Sequence, residues 1–278
     1  MRVVITGVRG QLGSALERAL AGQEVLGLDL PEHDITDPML GETLRALSPE
    51  VVIHTAGYTD VDGCARDPER ALRINALGTQ NVALACQAVG ATLLYVSTNE
   101  VFPGDRAEPY LEYDPPRPIN PYGYSKWVGE RYVEQICPRF YIVRTSWLFG
   151  GKHSFVTKIL ARSEEPGELT VVDDEFGCPT YAPDLAEAMV RLIQSGRFGI
   201  YHLVGEGVCS RYEFAREILR LAGREHVPIR PIHLAEYRRD STPPPRAVLR
   251  NFAAAALGIR LRPWPEALAE YFRGPVGR

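Results

Sequence analysis

Tyr122-Gly123-Tyr124-Ser125-Lys126 sets a phenol and an ammonium four residues apart. On a helix such positions share a face, so the two side chains point together. A phenol with its usual pKa of about 10 parts reluctantly with its proton at neutral pH, and a neighbouring cation favours the anion. The pair can therefore protonate a developing alkoxide, and the lysine can also hold ribose hydroxyls. With 13 tyrosines and only three lysines (Lys126, Lys152 and Lys158) in 278 residues, this spacing arises by chance in roughly one chain in seven.

A second group lies at the N-terminus. Gly7, Gly10 and Gly13 form a G-x-x-G-x-x-G string that includes Gln11 and Leu12 and opens a helical stretch. Glycine permits a tight turn and close approach of backbone to a pyrophosphate, while the helix start offers free N–H groups to phosphate. Asp29 ends the next apolar run, where a carboxylate accepts hydrogen bonds from adenosine ribose hydroxyls and disfavours a 2′-phosphate. Arg9 would instead welcome that phosphate, so NADH and NADPH both stay open. Asp34 and Ile35 follow at the adenine end. Ser97-Thr98-Asn99-Glu100 closes a strand, where the Thr98 hydroxyl can hydrogen-bond a substrate carbonyl as Tyr122 protonates it. Trp147, just past another strand, can stack on a sugar or a base.

The elements that must position these groups alternate. Apolar runs at 2–6, 24–28, 51–54, 91–98 and 140–145 read as strands. Helical stretches at 11–21, 68–89 and 122–136 lie between them. Strands apolar on both sides, alternating with helices, predict an α/β protein with a doubly wound, parallel, Rossmann-like sheet whose ligand crevice lies at the strands' carboxyl ends. Beyond residue 146 the rhythm weakens: 169–172 and 200–205 suggest strands, and 184–195, 211–223 and 265–272 suggest helices. The expected organisation is a dinucleotide-binding domain over 1–146, to which part of 181–200 returns, and a smaller, interleaved substrate-binding lobe over 147–278. Prolines crowded at 103–121 and 228–245 suggest extended loops.

Composition narrows the function classes. A net charge of -4 with no basic run argues against nucleic acid as a partner. No apolar stretch reaches the roughly 18 residues needed to span a membrane. The five dispersed cysteines form no C-x-x-C pair, and the N-terminus shows no leader pattern, so a cytoplasmic enzyme is expected. The six histidines form no ligand-spaced cluster.

GVRGQLG, INALGTQN, STNEVF and YGYSK together resemble the extended short-chain dehydrogenase/reductase family. AGYTDVD (56–62), RTSWLFGG (144–151), VVDDEFGCPT (171–180) and GIYHLVGEG (199–207) sharpen the resemblance towards its nucleotide-sugar reductases. The resemblance implies reduction by NADPH or NADH of the 4-keto group of dTDP-6-deoxy-L-lyxo-4-hexulose, giving dTDP-L-rhamnose, in the cytoplasm; a homodimer is compatible with it. It implies Thr98, Tyr122 and Lys126 as the catalytic set, with Gln11, Leu12, Asp29, Asp34, Ile35, Thr55, Ala56 and Gly57 along the cofactor. Thr98, Asn99, Tyr122 and Trp147 are the implied substrate contacts. Residue 15 is alanine where some relatives carry a glutamate proposed to bind magnesium, so no metal is expected. The chain departs from the pattern at Asn99, usually aspartate, and at Thr242–Ala247. The alternatives weighed are another nucleotide-sugar reductase or epimerase, a 4,6-dehydratase, and a non-catalytic subunit resembling the partner of methionine adenosyltransferase. Dehydration needs a carboxyl to protonate the leaving hydroxyl, which Asn99 cannot supply.

Overall fold

The computed structural model describes residues 1–274. Six parallel strands form the central sheet: β1 (Arg2–Thr6), β2 (Glu24–Leu28), β3 (Val51–His54), β4 (Thr92–Thr98), β5 (Phe140–Thr145) and, further on, β10 (Gly199–His202). Their spatial order is β10-β5-β4-β3-β1-β2, so the chain starts one strand in from the β2 edge and the order reverses direction at β1/β3. The intervening helices are α1 (Gln11–Ala19), α2 (Leu40–Leu47), α3 (Val61–Arg66), α4 (Pro68–Ala71), α5 (Thr79–Val89) and α6 (Pro121–Ile136).

Successive strand residues point to opposite faces, and both faces are covered. Val3 and Ile5 of β1 join Leu12, Leu16, Leu185 and Met189 in one core, whereas Val4 joins Leu44, Val82, Leu93 and Val133 in the other. Beyond β5 come short strands β6 (Leu148–Phe149), β7 (Leu169–Val172), β8 (Phe176–Gly177) and β9 (Thr180–Tyr181), with α7 (Phe155–Arg162) after β6. After α8 (Ala182–Ser195) and β10 follow β11 (Cys209–Ser210), α9 (Arg211–Leu221), β12 (Ile229–Ile232), α10 (Ala253–Ala256) and α11 (Trp264–Arg273). Phe149, Val156, Phe214, Leu268 and Tyr271 gather these later elements into a core of their own. Helix α8 packs on α1 and β10 pairs with β5, so 182–202 belongs to the main sheet.

Local structure departs from the sequence reading in three places. The helical stretch 68–89 is α4, a π-helical turn over Leu72–Gly78, and α5, and the Asn75 side chain in the π turn bonds outward to Tyr58 of the neighbouring loop. The segment 228–245 is not wholly loop: β12 pairs in parallel with β7. Helices α2, α3 and α7, eight residues or fewer, were too short to show periodicity. Among the described residues, no helix is long and apolar enough to cross a membrane, and no group of three His, Cys, Asp or Glu side chains is placed to hold a metal.

Candidate active site

One cleft of about 1210 Å³ opens at the carboxyl ends of β1 to β5. Every site residue singled out from the sequence lines it: Gly7, Gly10, Gln11, Leu12, Gly13, Asp29, Asp34, Ile35, Thr55, Ala56, Gly57, Thr98, Asn99, Tyr122, Lys126 and Trp147.

The glycine turn is tight for identifiable reasons. Gly7 has φ +75°, and a Cβ there would lie 2.7 Å from Ala56 N; one at Gly13 would strike the Gly7 carbonyl. No side chain caps α1, so its first N–H groups face the cleft. Gln11 Oε1 is buried without a partner at the same place. Free donors and a cradle closed to side chains suit a dinucleotide pyrophosphate. At the adenosine end, Asp29 accepts the Arg9 N–H at 2.7 Å and the Leu30 N–H at 2.9 Å. The Arg9 guanidinium turns to the Leu30 carbonyl and pairs with Glu32 at 3.2 Å. Asp34 is engaged by Thr36.

Helix α6 presents the phenol and the ammonium. Asn120 caps it by accepting the Gly123 N–H at 2.8 Å, and Pro121 occupies its first turn. Lys126 Nζ sits 4.2 Å from the centre of the Tyr95 ring, and a Cβ at Gly57 would press on Asn75 Oδ1 at 3.0 Å. Burial lowers the Lys126 pKa to about 7, against the opposing pull of Glu130. Burial raises that of Tyr122 well above the phenol range; the Glu100 charge adds to this, and the Thr98 hydroxyl beside it opposes. Thr98 Oγ1 accepts the Glu100 N–H at 3.2 Å, and Asn99 Nδ2 donates to the Ala247 carbonyl at 3.2 Å, fixing the end of β4 to the C-terminal segment.

Two further residues, Glu130 and Asn75, hold this arrangement. Glu130 of α6 is bound by Arg144 of β5 at 2.9 and 2.7 Å and by Ser97 of β4 at 2.5 Å, with both charged side chains 2% exposed. Asn75 grips Tyr58 through both backbone groups and donates to Ser125 Oγ at 3.0 Å. Both lay within strings read for other reasons, INALGTQN and the α6 helix, and their role needed the fold to bring β4, β5 and α6 together. Trp147 has φ +45°, and the Arg211 guanidinium lies 3.6 Å over its ring while Gly177 packs against it. Arg211 occupies a face expected to take a sugar or base, and is itself fixed on the buried Glu175 at 3.0 and 2.8 Å.

A dinucleotide cradle at the sheet's switch point, with a phenol and an ammonium on one helix across from a strand-end hydroxyl, is the geometry of a reductase site. A family model described as the RmlD substrate binding domain matches residues 1–274. The chain belongs to this family. It is 38% identical to a dTDP-4-dehydrorhamnose reductase of Mycobacterium tuberculosis over 99% of this chain and 93% of that protein. It is also 39% identical to the spore coat polysaccharide biosynthesis protein SpsK of Bacillus subtilis, over 98% and 97%. The structure superposes with a TM-score of 0.95 on a dTDP-4-dehydrorhamnose reductase of Clostridium acetobutylicum, at 37% identity and covering 98% and 99% of the two chains. A reductase of Bacillus anthracis in complex with NADP gives the same TM-score, at 37% identity and 98% coverage of each chain.

Proposed function

We propose that the chain reduces the 4-keto group of dTDP-6-deoxy-L-lyxo-4-hexulose to dTDP-L-rhamnose, as a nicotinamide-dependent oxidoreductase. The observation that carries this reading is the convergence of Thr98, Tyr122 and Lys126 on the cleft that also contains the glycine cradle, in a chain related end to end to such reductases. When bound, the nicotinamide cofactor, NADPH or NADH, supplies the hydride. Gly7, Gly10, Gln11, Leu12 and Gly13 hold its pyrophosphate, Asp29, Asp34 and Ile35 its adenosine, and Thr55, Ala56, Gly57 and Lys126 the remainder. Thr98 orients the sugar carbonyl. Tyr122 gives its proton to the oxygen as negative charge develops there, and the Lys126 cation stabilises the phenolate that remains.

The elements after residue 146 form the sugar-nucleotide side of the cleft, with Asn99 and Trp147 at the sugar. The five cysteines are buried and unpaired, which suits the reducing cytoplasm. Loss of NADPH or NADH absorbance with this 4-keto sugar tests the activity, with other sugar nucleotides as competitors. Tyr122→Phe should lower kcat by about 10²- to 10⁴-fold with cofactor affinity unchanged. Near-normal turnover in that variant would overturn the role given to Tyr122.

A further inference from the structure

Glu100 is an acid in this cleft that the reaction above leaves unused. It follows Thr98 by two residues and lines the same wall as Tyr122. Its backbone N–H is held by Thr98 Oγ1, and its carbonyl lies so close to Gly123 that a Cβ there would collide with it. One carboxyl oxygen accepts from Asn120 Nδ2 at 2.7 Å, and Asn120 is the cap of the helix that carries Tyr122. Glu100 and Tyr122 are therefore fixed to one helix end. Among the described residues, no side chain or backbone group bonds the second carboxyl oxygen.

We propose that Glu100 supplies the proton that Tyr122 gives away. The inference rests on the reductase reading. As hydride reaches C4, the carbonyl π electrons move to oxygen, which takes the phenolic proton. The Tyr122 oxygen then takes the carboxyl proton of Glu100, directly or across one water, and the carboxylate is refilled from solvent through the open cleft. Each hydride thus consumes one solvent proton, and no other reactant is needed.

The surroundings set the direction of this transfer. Burial, reinforced by Glu175, raises Glu100 to about 7; the Asn120 hydrogen bond and the Arg239 and Arg211 charges oppose it. A carboxyl titrating there is a far stronger acid than a buried phenol held above 10, so transfer to the phenolate runs downhill. Cys64 of α3 also feels Glu100, but burial first, then Asp60 and Glu100, push its thiol up to about 12, so it stays protonated.

Lys126 titrates in the same range, so the test must separate the two groups. Glu100→Gln keeps the acceptor for Asn120 but cannot carry the proton. Steady-state turnover of the 4-keto sugar would be followed from about pH 6 to about pH 9, with proton inventories in mixed light and heavy water. The wild-type chain should lose activity as pH rises through about 7 and give a curved inventory from two protons in flight. The variant should be about tenfold slower below pH 7, keep only the shallower limb that Lys126 gives, and give a linear inventory with an unchanged KM for the cofactor. An active wild type whose inventory curvature persists in Glu100→Gln overturns this inference alone. So does a uniform loss at every pH. A wild type without turnover overturns the reductase reading as well.

Discussion

Asp29 and Arg9 stand side by side at the adenosine end with opposite consequences for cofactor choice. The Asp29 carboxylate is held by two backbone N–H groups, and the Arg9 guanidinium is drawn to Glu32. Neither is rigidly buried, so each responds to the ribose it meets. Removing the negative charge with Asp29→Ala should raise kcat/KM for NADPH relative to NADH by about fivefold, since an exposed charge pair is worth on the order of 1 kcal/mol. Fixed-sugar kinetics with both cofactors would check this, and an unchanged ratio would remove Asp29 from cofactor selection. At this scale the sequence was most informative: glycines, phenol and ammonium carry their chemistry in type and spacing. Trp147 was less legible, because only the fold reveals that Arg211 covers its ring.

Helix α6 carries the reacting phenol, and its placement depends on an ion pair that water hardly reaches. Glu130 ties the helix to Arg144 of β5 and Ser97 of β4. Removing one partner leaves a buried charge unpaired, so Arg144→Met should destabilise the fold by about 3–5 kcal/mol in urea unfolding. The double variant Glu130→Gln/Arg144→Met should recover a good part of that loss. Glu130→Gln alone also takes away the charge that keeps Lys126 protonated, so the Lys126 pKa should fall below about 7. The parallel strands and long helices of this framework were readable from apolar runs and from the three-to-four-residue period. The π turn, the eight-residue helices and the pairing of β12 were not, since each depends on a contact distant in sequence.

The whole molecule folds around two histidines that water does not reach. His54 lies between Thr6 Oγ1 at 2.7 Å and Thr79 Oγ1 at 3.1 Å, and burial, with a smaller push from Lys126, lowers its pKa to about 3. His202 is brought to about 3 by burial and by Arg144. A depressed folded-state pKa leaves stability intact above the unfolded value of about 6.5 and removes it as pH falls towards 3. At pH 5 each histidine should cost roughly 2 kcal/mol, so the urea midpoint should drop between pH 7 and pH 5. His54→Gln should flatten that drop, and an equally steep decline would show that His54 is not its source.

Helix α3, next to the cleft, is also fastened by charge to the segment after β12. Asp62 of α3 accepts from Arg239 Nε at 3.0 Å and from Ser241 N and Oγ at 3.0 and 2.9 Å, while Arg66 meets Asp240 at 2.5 Å. These groups are partly exposed, so dissolved ions weaken them over a screening length of about 8 Å at physiological strength. The clasp joins α3, which begins at Asp60 and Val61 of the cleft wall, to the segment after β12, so loosening it should free that wall to move. Added salt should therefore shorten the residence of a bound sugar nucleotide, and Asp62→Asn should do the same in dilute buffer. Stopped-flow release rates that ignore both changes would mean that the cleft empties without unfastening it.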